Sequence, residues 1–231
     1  RSNARGRGNY FDAVLTALAD PEVGLVGAKL IYEDGTIQHD GMRMTTYEAW
    51  GGLPILLHPG KGMPDKIPTL KPAFAKDGTI TAATSSSISD GAAALVLTRQ
   101  SVADANGQKP IARIVAHAAH AQEPSAFTTA PVGAINTCLA KAGWTIADVD
   151  LFEVNEAFAC VAMFAMHDLG IAHDKINVHG GATALGHPIG ASGARIITTL
   201  VAALQRHGKK RGLASLCIGG GEATALAIEL I

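Results

Sequence analysis

The run His179-Gly180-Gly181-Ala182-Thr183-Ala184-Leu185-Gly186-His187-Pro188-Ile189-Gly190-Ala191-Ser192-Gly193-Ala194-Arg195 sets one imidazole, His187, among residues that are almost all small. No other stretch limits the possible folds and functions as strongly. Glycine lets backbone approach a ligand closely and take positive φ, and Pro188 fixes its own φ and removes a donor, so the loop is tight and stiff. Ser192 is the expected N-cap of a helix in which Ile196, Ile197, Leu200, Val201 and Leu204 recur at helical spacing. The free N–H groups of such a helix start favour negative charge, which suits an oxyanion or a phosphate. By itself the run also fits a Gly-rich turn before a buried helix, with His187 as a hydrogen-bonded loop histidine.

Two further stretches bear on the choice. Leu213-Ala214-Ser215-Leu216-Cys217-Ile218 reads as a buried strand, broken by Gly219-Gly220-Gly221, with Ala223 to Ile231 as the return strand. A thiol therefore stands where a strand enters a glycine turn. It can exchange protons if a nearby imidazolium or helix terminus lowers its pKa, and the Gly219 and Gly220 N–H groups can face a developing oxyanion. The alternative for Cys217 is a small core hydrophobe. Glu153-Val154-Asn155-Glu156-Ala157-Phe158-Ala159 reads as a strand-to-helix junction with Asn155 at the cap, a position that by itself needs no further role.

Asn155-Glu156-Ala157-Phe158-Ala159, Gly186-His187-Pro188 and Cys217-Ile218-Gly219-Gly220-Gly221, in this order and at these separations, closely resemble the C-terminal half of thiolases, especially acetyl-CoA acetyltransferases. The resemblance implies condensation of two acetyl-CoA molecules, or thiolysis of acetoacetyl-CoA, through an acyl-cysteine. It implies that His187 activates the nucleophilic cysteine and polarises the thioester oxygen, and that Asn155 holds a water in the same oxyanion site. Cys217 would move the substrate α-proton, and Gly219 N–H would line a second oxyanion hole. Ser86 matches the serine that the family sets near the CoA pantetheine, and Phe158 is the second CoA-binding candidate. Coenzyme A and acetyl-CoA are then substrates, with no permanently bound cofactor and no metal.

Composition agrees with a packed α/β domain, since 48% of the 231 residues are hydrophobic and 17% charged. A formal charge of −1 gives no general attraction to nucleic acid or to an anionic membrane, and no apolar run is long enough to span a bilayer. Cys138, Cys160 and Cys217 show no CxxC spacing and no leader is evident, so a cytoplasmic location is expected. His117 and His120 stand three apart, but no third ligand motif accompanies them.

The start of the chain reads differently. Arg1 to Gly8 is expected to be poorly tied, Tyr10 to Ala19 helical, and Val23 to Tyr32 to form a hairpin with Ile37 to Met44 through Glu33-Asp34-Gly35-Thr36. Pro21 to Gly41 resembles an internal piece of inverting, rhamnosyltransferase-like family-2 glycosyltransferases, a resemblance confined to residues 1 to 65. The acidic metal-binding motif and the downstream carboxylate base of those enzymes are not in this sequence. His58-Pro59-Gly60-Lys61-Gly62 also lacks the spacing of a P-loop.

From Lys66 onward the register is thiolase-like. Pro68 to Phe74, Asp77 to Ala82 and Ser89 to Leu97 resemble the end of the family's N-terminal half, with the Ala/Val run a buried strand or helix. Thr84 stands where the family commonly has Asn, and Ser87 where it has Gly. Strands at 111–118, 148–154 and 176–178, with helices at 128–142 and 155–169, precede the loop, the long helix and the final strand pair. Cys160 falls on the apolar face of the second helix as packing. The expected architecture is therefore an α/β thiolase-like layered fold, a mixed sheet with helices on its faces, after a small hairpin-containing fragment. Its divisions are 1–65, 66–110 and 111–231.

The family's nucleophile lies in a Cys-Gly-Ser-Gly type sequence, and none of the three cysteines has that context. Without it no acyl-enzyme forms on these residues. Four accounts follow: a thiolase C-terminal half that needs a separate N-terminal half or an oligomeric partner, a non-catalytic CoA-binding or assembly module, a glycosyltransferase, and an artificial chimera. Sequencing the genomic locus across Met63 to Lys66 distinguishes the last.

Overall fold

The computed structural model describes residues 70–231 in full and, before them, the backbone of four short strands. It divides into two compact units, Arg1–Gly62 and Met63–Ile231. In the first, β1 (Lys29–Ile31) pairs antiparallel with β2 (Ile37–Asp40), the expected hairpin, and β3 (Arg43–Thr46) pairs antiparallel with β4 (Pro54–Leu57). The expectations for Arg1 to Gly8 and Tyr10 to Ala19 lie outside the described residues, as do the side chains on which the glycosyltransferase reading depends.

The second unit is built on a four-stranded mixed sheet of order β5-β8-β7-β6. The strands are β5 (Ala112–Ala121), β6 (Leu151–Val154), β7 (Arg211–Ile218) and β8 (Glu222–Leu230); β8 runs antiparallel to both neighbours and β6 parallel to β7. Period-two alternation sends Leu213 and Cys217 of β7 to one face and Ala214 to the other. On the first face lie α2 (Ala130–Ala142) and α3 (Ala159–Leu169), which bury Ala134, Ile135, Cys138, Val161 and Ala165 against Phe152, Val154 and Leu213. Helix α2 stops at Gly143, whose φ of 68° is left-handed, a conformation that glycine adopts without a Cβ penalty.

Helix α5 (Ser192–Arg206) covers the other face, where Ile196, Leu200, Ala203 and Leu204 form a buried stripe against Leu151, Ala214 and Ile228. Each such Leu or Ile contributes about 1.5–3 kcal/mol by burial. Gly212 is required here, because a Cβ on it would lie 2.9 Å from three carbons of Leu200.

Several local expectations change. Residues 176–178 are not a strand; Ile176 makes one parallel bridge to Phe152, and the turn that follows is held by the Asn177 side chain. Ala92 to Leu97 forms neither strand nor helix and is not buried, with Val96 96% exposed. The helix expected from Asn155 begins at Ala159 after a Phe158 N-cap, because the side chain of Asn155 is engaged elsewhere and caps nothing. Ser192 is likewise not the cap of α5; Ala191 is, and Ser192 opens the helix. A short helix, α1 (Gln100–Ala105), precedes β5, and α4 (Ala182–Leu185) is a single turn inside the Gly-rich loop.

Candidate active site

The parallel pairing of β6 with β7 extends one residue beyond the strand, as Asn155 N–H donates to Ser215 O at 2.9 Å. That bond brings Asn155 to the C-terminal end of the sheet. Asn177 fixes the same turn: its Oδ1 accepts from Val154 N at 2.8 Å, and its Nδ2 donates to Val154 O at 2.8 Å and to Glu156 Oε1 at 3.0 Å. Glu156 Oε2 accepts from Thr183 N at 3.3 Å, and its carboxylate occupies the space that a Cβ on Gly181 would need. The Gly-rich loop is thereby tied to the strand end. It then turns at Gly186, whose φ is 94° and whose missing side chain leaves room for the Ser89 hydroxyl.

His187 follows, held by its N–H to Ser87 O at 2.9 Å and bridged in parallel to Ile88. Ser86 N and Oγ both donate to Ala157 O, at 3.0 and 2.9 Å, and Ser85 bridges Phe158. Residues 85–89 therefore form a strap across both His187 and the Asn155 turn. The Ser86 hydroxyl proton is engaged by backbone, and Phe158 stacks edge-on between Phe74 and Phe127, with centroids 5.8 and 6.1 Å away.

The side chains of Asn155 and His187 meet: Asn155 Nδ2 lies 3.4 Å from His187 Nε2. On the other edge of the ring, His187 Nδ1 is 2.6 Å from Ser192 Oγ, which donates onward to Pro188 O at 3.0 Å. Burial first, and then the positive Arg195, hold the imidazole below its ordinary pKa of 6.5, so at neutral pH the ring is an uncharged base. Arg195 Nη2 donates to Asn155 Oδ1 at 3.2 Å. Behind it Glu153, 2% exposed, lies 3.7 Å from Arg195 Nη1. Burial pushes the Glu153 carboxyl up to about 8, with Arg195 opposing and Glu156 adding to the rise.

Cys217 stands on β7 two residues past Ser215, buried in the α2/α3 core. Burial is the main cause that pushes its thiol up to about 11. Gly219 opens the exposed turn that follows. Cys138 is fully buried with its thiol facing Ala116 O at 3.6 Å, and burial raises both it and Cys160. Among the described residues, no group of three or more His, Cys, Asp and Glu side chains is placed to hold a metal ion, and no helix is long and apolar enough to cross a membrane.

Comparison with known proteins decides the family. The model of the thiolase C-terminal domain matches residues 108–230, and that of the thiolase N-terminal domain matches residues 61–101. The chain belongs to the thiolase family. It is 51% identical over 165 residues to the acetyl-CoA acetyltransferase of Allochromatium vinosum, covering 71% of this chain and 42% of that protein. The corresponding figures for the Chromobacterium violaceum enzyme are 53% identity over 165 residues, with 71% and 42% covered. The crystal structure of the Bacillus anthracis acetyl-CoA acetyltransferase superposes with a TM-score of 0.71 at 36% identity, over 86% of this chain and 50% of that one. Human mitochondrial 3-ketoacyl-CoA thiolase in complex with CoA gives 0.67 at 40% identity, over 72% and 42%. The chain thus spans less than half the length of these curated relatives.

The sequence brought out Asn155 and His187, and the structure joins them. Three neighbours were not foreseen in these places: Ser192 beside the ring, Arg195 on the carboxamide and Glu153 behind it. Glu153 carried a signal, a single charge in the otherwise apolar strand Leu151-Phe152-Glu153-Val154. In alternation with Phe152 it has to face α5, where Arg195 is one residue from the buried Ile196.

Proposed function

We propose that residues 66–231 act as the base-bearing half of an acetyl-CoA acetyltransferase, taking acetyl-CoA and acetoacetyl-CoA as substrates. The observation that carries this is the 3.4 Å contact between the Asn155 carboxamide and the neutral, pKa-lowered His187 imidazole under the 85–89 strap. His187 Nε2 takes the proton of a cysteine thiol supplied by a complementary N-terminal half. The thiolate adds to the acetyl carbonyl, CoA leaves with that proton, and Asn155 with its water supports the oxyanion; each such donor contributes about 3 kcal/mol. Cys217 then removes the α-proton of the second acetyl-CoA, and Gly219 N–H receives the enolate oxygen. With a thiol pKa near 11, Cys217 stays protonated in this chain alone and becomes a base only where the complementary half brings a positive charge or a donor that lowers that pKa.

The test is thiolysis of acetoacetyl-CoA by the purified chain, alone and mixed with an N-terminal thiolase half. Activity only in the mixture supports the proposal; activity of the chain alone, or of neither, contradicts it. The second reading, a CoA-binding module without chemistry, is favoured by the absence of a Cys-Gly-Ser-Gly sequence among the 231 residues. Calorimetric heat with acetyl-CoA and no activity in the mixture supports it, and no heat removes it. For residues 1 to 65 the glycosyltransferase reading predicts nucleotide-sugar hydrolysis with a divalent metal, and its absence there disposes of that reading.

A further inference from the structure

A neutral imidazole carries one proton, and it acts as a base toward a substrate only through the nitrogen that lacks it. The neighbours of His187 on both ring edges are groups that can donate and accept. Asn155 offers an oxygen or an NH2, whereas the Ser192 hydroxyl, donating to Pro188 O at 3.0 Å, turns its oxygen toward Nδ1, so the Asn155 edge is the one left to be decided. The decision comes from further back. Arg195 has donors and no acceptor, and its Nη2 lies 3.2 Å from Asn155 Oδ1. A guanidinium cannot face the NH2 of an amide favourably, so the oxygen of Asn155 must point to Arg195 and its Nδ2 to His187 Nε2. Nε2 then has to accept, the proton sits on Nδ1, Ser192 Oγ receives it at 2.6 Å, and the hydroxyl proton goes to Pro188 O at 3.0 Å.

We infer that Arg195, anchored by Glu153, is a positioning residue that sets the tautomer of His187 through the Asn155 carboxamide and so leaves Nε2 free as the base. Among the described residues the Arg195 side chain hydrogen-bonds only through Nη2: its Nε and Nη1 are buried without hydrogen-bond partners, as is Glu153 Oε1. Buried unpaired donors of that kind are costly to keep. The pair is therefore an expensive arrangement for stability alone, since a guanidinium buried beside a carboxyl that burial keeps largely protonated at neutral pH gains little from the contact. Its one productive contact is the Nη2 bond to Asn155. Arg195, which can only donate, and Pro188 O, which can only accept, set the two ends of the chain of bonds in the same sense, so reversing the Asn155 amide would cost both end contacts.

The inference rests on His187 being the base of the proposed function, but it is tested on the isolated chain without catalysis. Nitrogen-15 NMR of the histidine-labelled chain above the His187 pKa, with the resonance assigned by loss in H187Q, distinguishes a protonated from an unprotonated Nε2. Wild type is expected to show Nε2 unprotonated and Nδ1 protonated, and a proton predominantly on Nε2 overturns the inference at once. R195M is expected to shift the ratio of the two tautomers toward the Nε2–H form by about tenfold, the effect of one lost hydrogen bond. R195K, which keeps a donor-only group, is expected to hold the wild-type ratio more closely than R195M. Because R195M leaves Glu153 buried and unpaired, E153Q/R195M is measured beside it, with circular dichroism to verify folding. An unchanged ratio in a folded variant lacking Arg195 reduces the pair to a structural role and overturns the inference. Should neither variant fold, contacts between the Asn155 amide protons and the His187 ring in the wild-type NOE spectrum decide, and an amide directed at Arg195 instead refutes it. Failure of thiolysis in the mixture of halves with the tautomer as expected sinks the function and leaves the positioning role standing.

Discussion

Ser192→Ala deletes one oxygen, and the structure says what that oxygen does. The hydroxyl is fully buried, lies 2.6 Å from His187 Nδ1 and donates to Pro188 O at 3.0 Å. Pro188 O loses little, because Ala191 N and Ser192 N still donate to it at 2.7 and 2.9 Å. The Nδ1–H of the half-buried imidazole loses its acceptor, which costs about 1–3 kcal/mol, while alanine in the first turn of α5 returns roughly half a kcal/mol of helix propensity. The net loss is about 1–2 kcal/mol. In a folded unit of this size that lowers Tm by roughly 2–8 °C, readable by urea and thermal unfolding followed by circular dichroism. The same deletion removes an acceptor that favours the imidazolium over the neutral ring, so the His187 pKa, already below 6.5, falls further in an NMR titration. A variant with unchanged stability and an unchanged His187 pKa would refute the reasoning, since the Oγ to Nδ1 contact would then carry no hydrogen bond.

Other perturbations test the frame around the site. Gly212→Ala forces a Cβ to within 2.9 Å of Leu200 and is expected to cost about 1–3 kcal/mol in urea unfolding. Leu200→Ala alone costs about 2–5 kcal/mol. The double variant is expected to lose clearly less than the sum of the two, and strict additivity would mean that the close approach is not there. Glu153 has a folded pKa near 8, above its ordinary 4.5, so the folded state binds the extra proton between these values. Its contribution to stability is full below 4.5 and is lost as pH rises through about 8, a decline that urea titrations should find in wild type and not in E153Q. Cys217, with its thiol near 11, holds a thiolate fraction of about a thousandth at pH 8, so mass-mapped alkylation by iodoacetamide at that pH should be slow and accelerate steeply with pH. Rapid alkylation of Cys217 near neutrality would contradict the burial that protects it.

What the sequence made legible is what local pattern determines. The alternation in β7 and β8 and the apolar stripe of α5 follow from periods of two and 3.6, and the structure places these elements within a residue or two of their expected ends. Asn155 and His187 were also legible, because glycines beside a lone imidazole, and a carboxamide at a strand end, are uncommon enough to attract attention. The caps were misread for one reason. Asn155 and Ser192 are residue types that cap helices when nothing better is in reach; here Ser192 turns to His187 and Pro188 in its own loop, and Asn155 to an imidazole and a guanidinium from distant parts of the chain. The partners of Asn155 come from tertiary structure, 40 residues away in the case of Arg195, and no local window contains them. The Ala/Val run of Ser89 to Leu97, expected as a buried strand or helix, has an apolar composition that fits burial, but among the described residues it pairs with no strand and lies largely exposed.

In the proposed function, this chain carries the base of a thiolase site and a separate half carries the sulfur that takes the acyl group. The most direct measurement is intact-protein and peptide mass spectrometry after brief exposure to acetyl-CoA, of the chain alone and of the chain mixed with an N-terminal thiolase half. The expected result is no acetyl group on Cys138, Cys160 or Cys217 in either sample, and one acetyl group on a cysteine of the added half in the mixture. An acetyl group found on any of these three thiols would contradict the account at its centre.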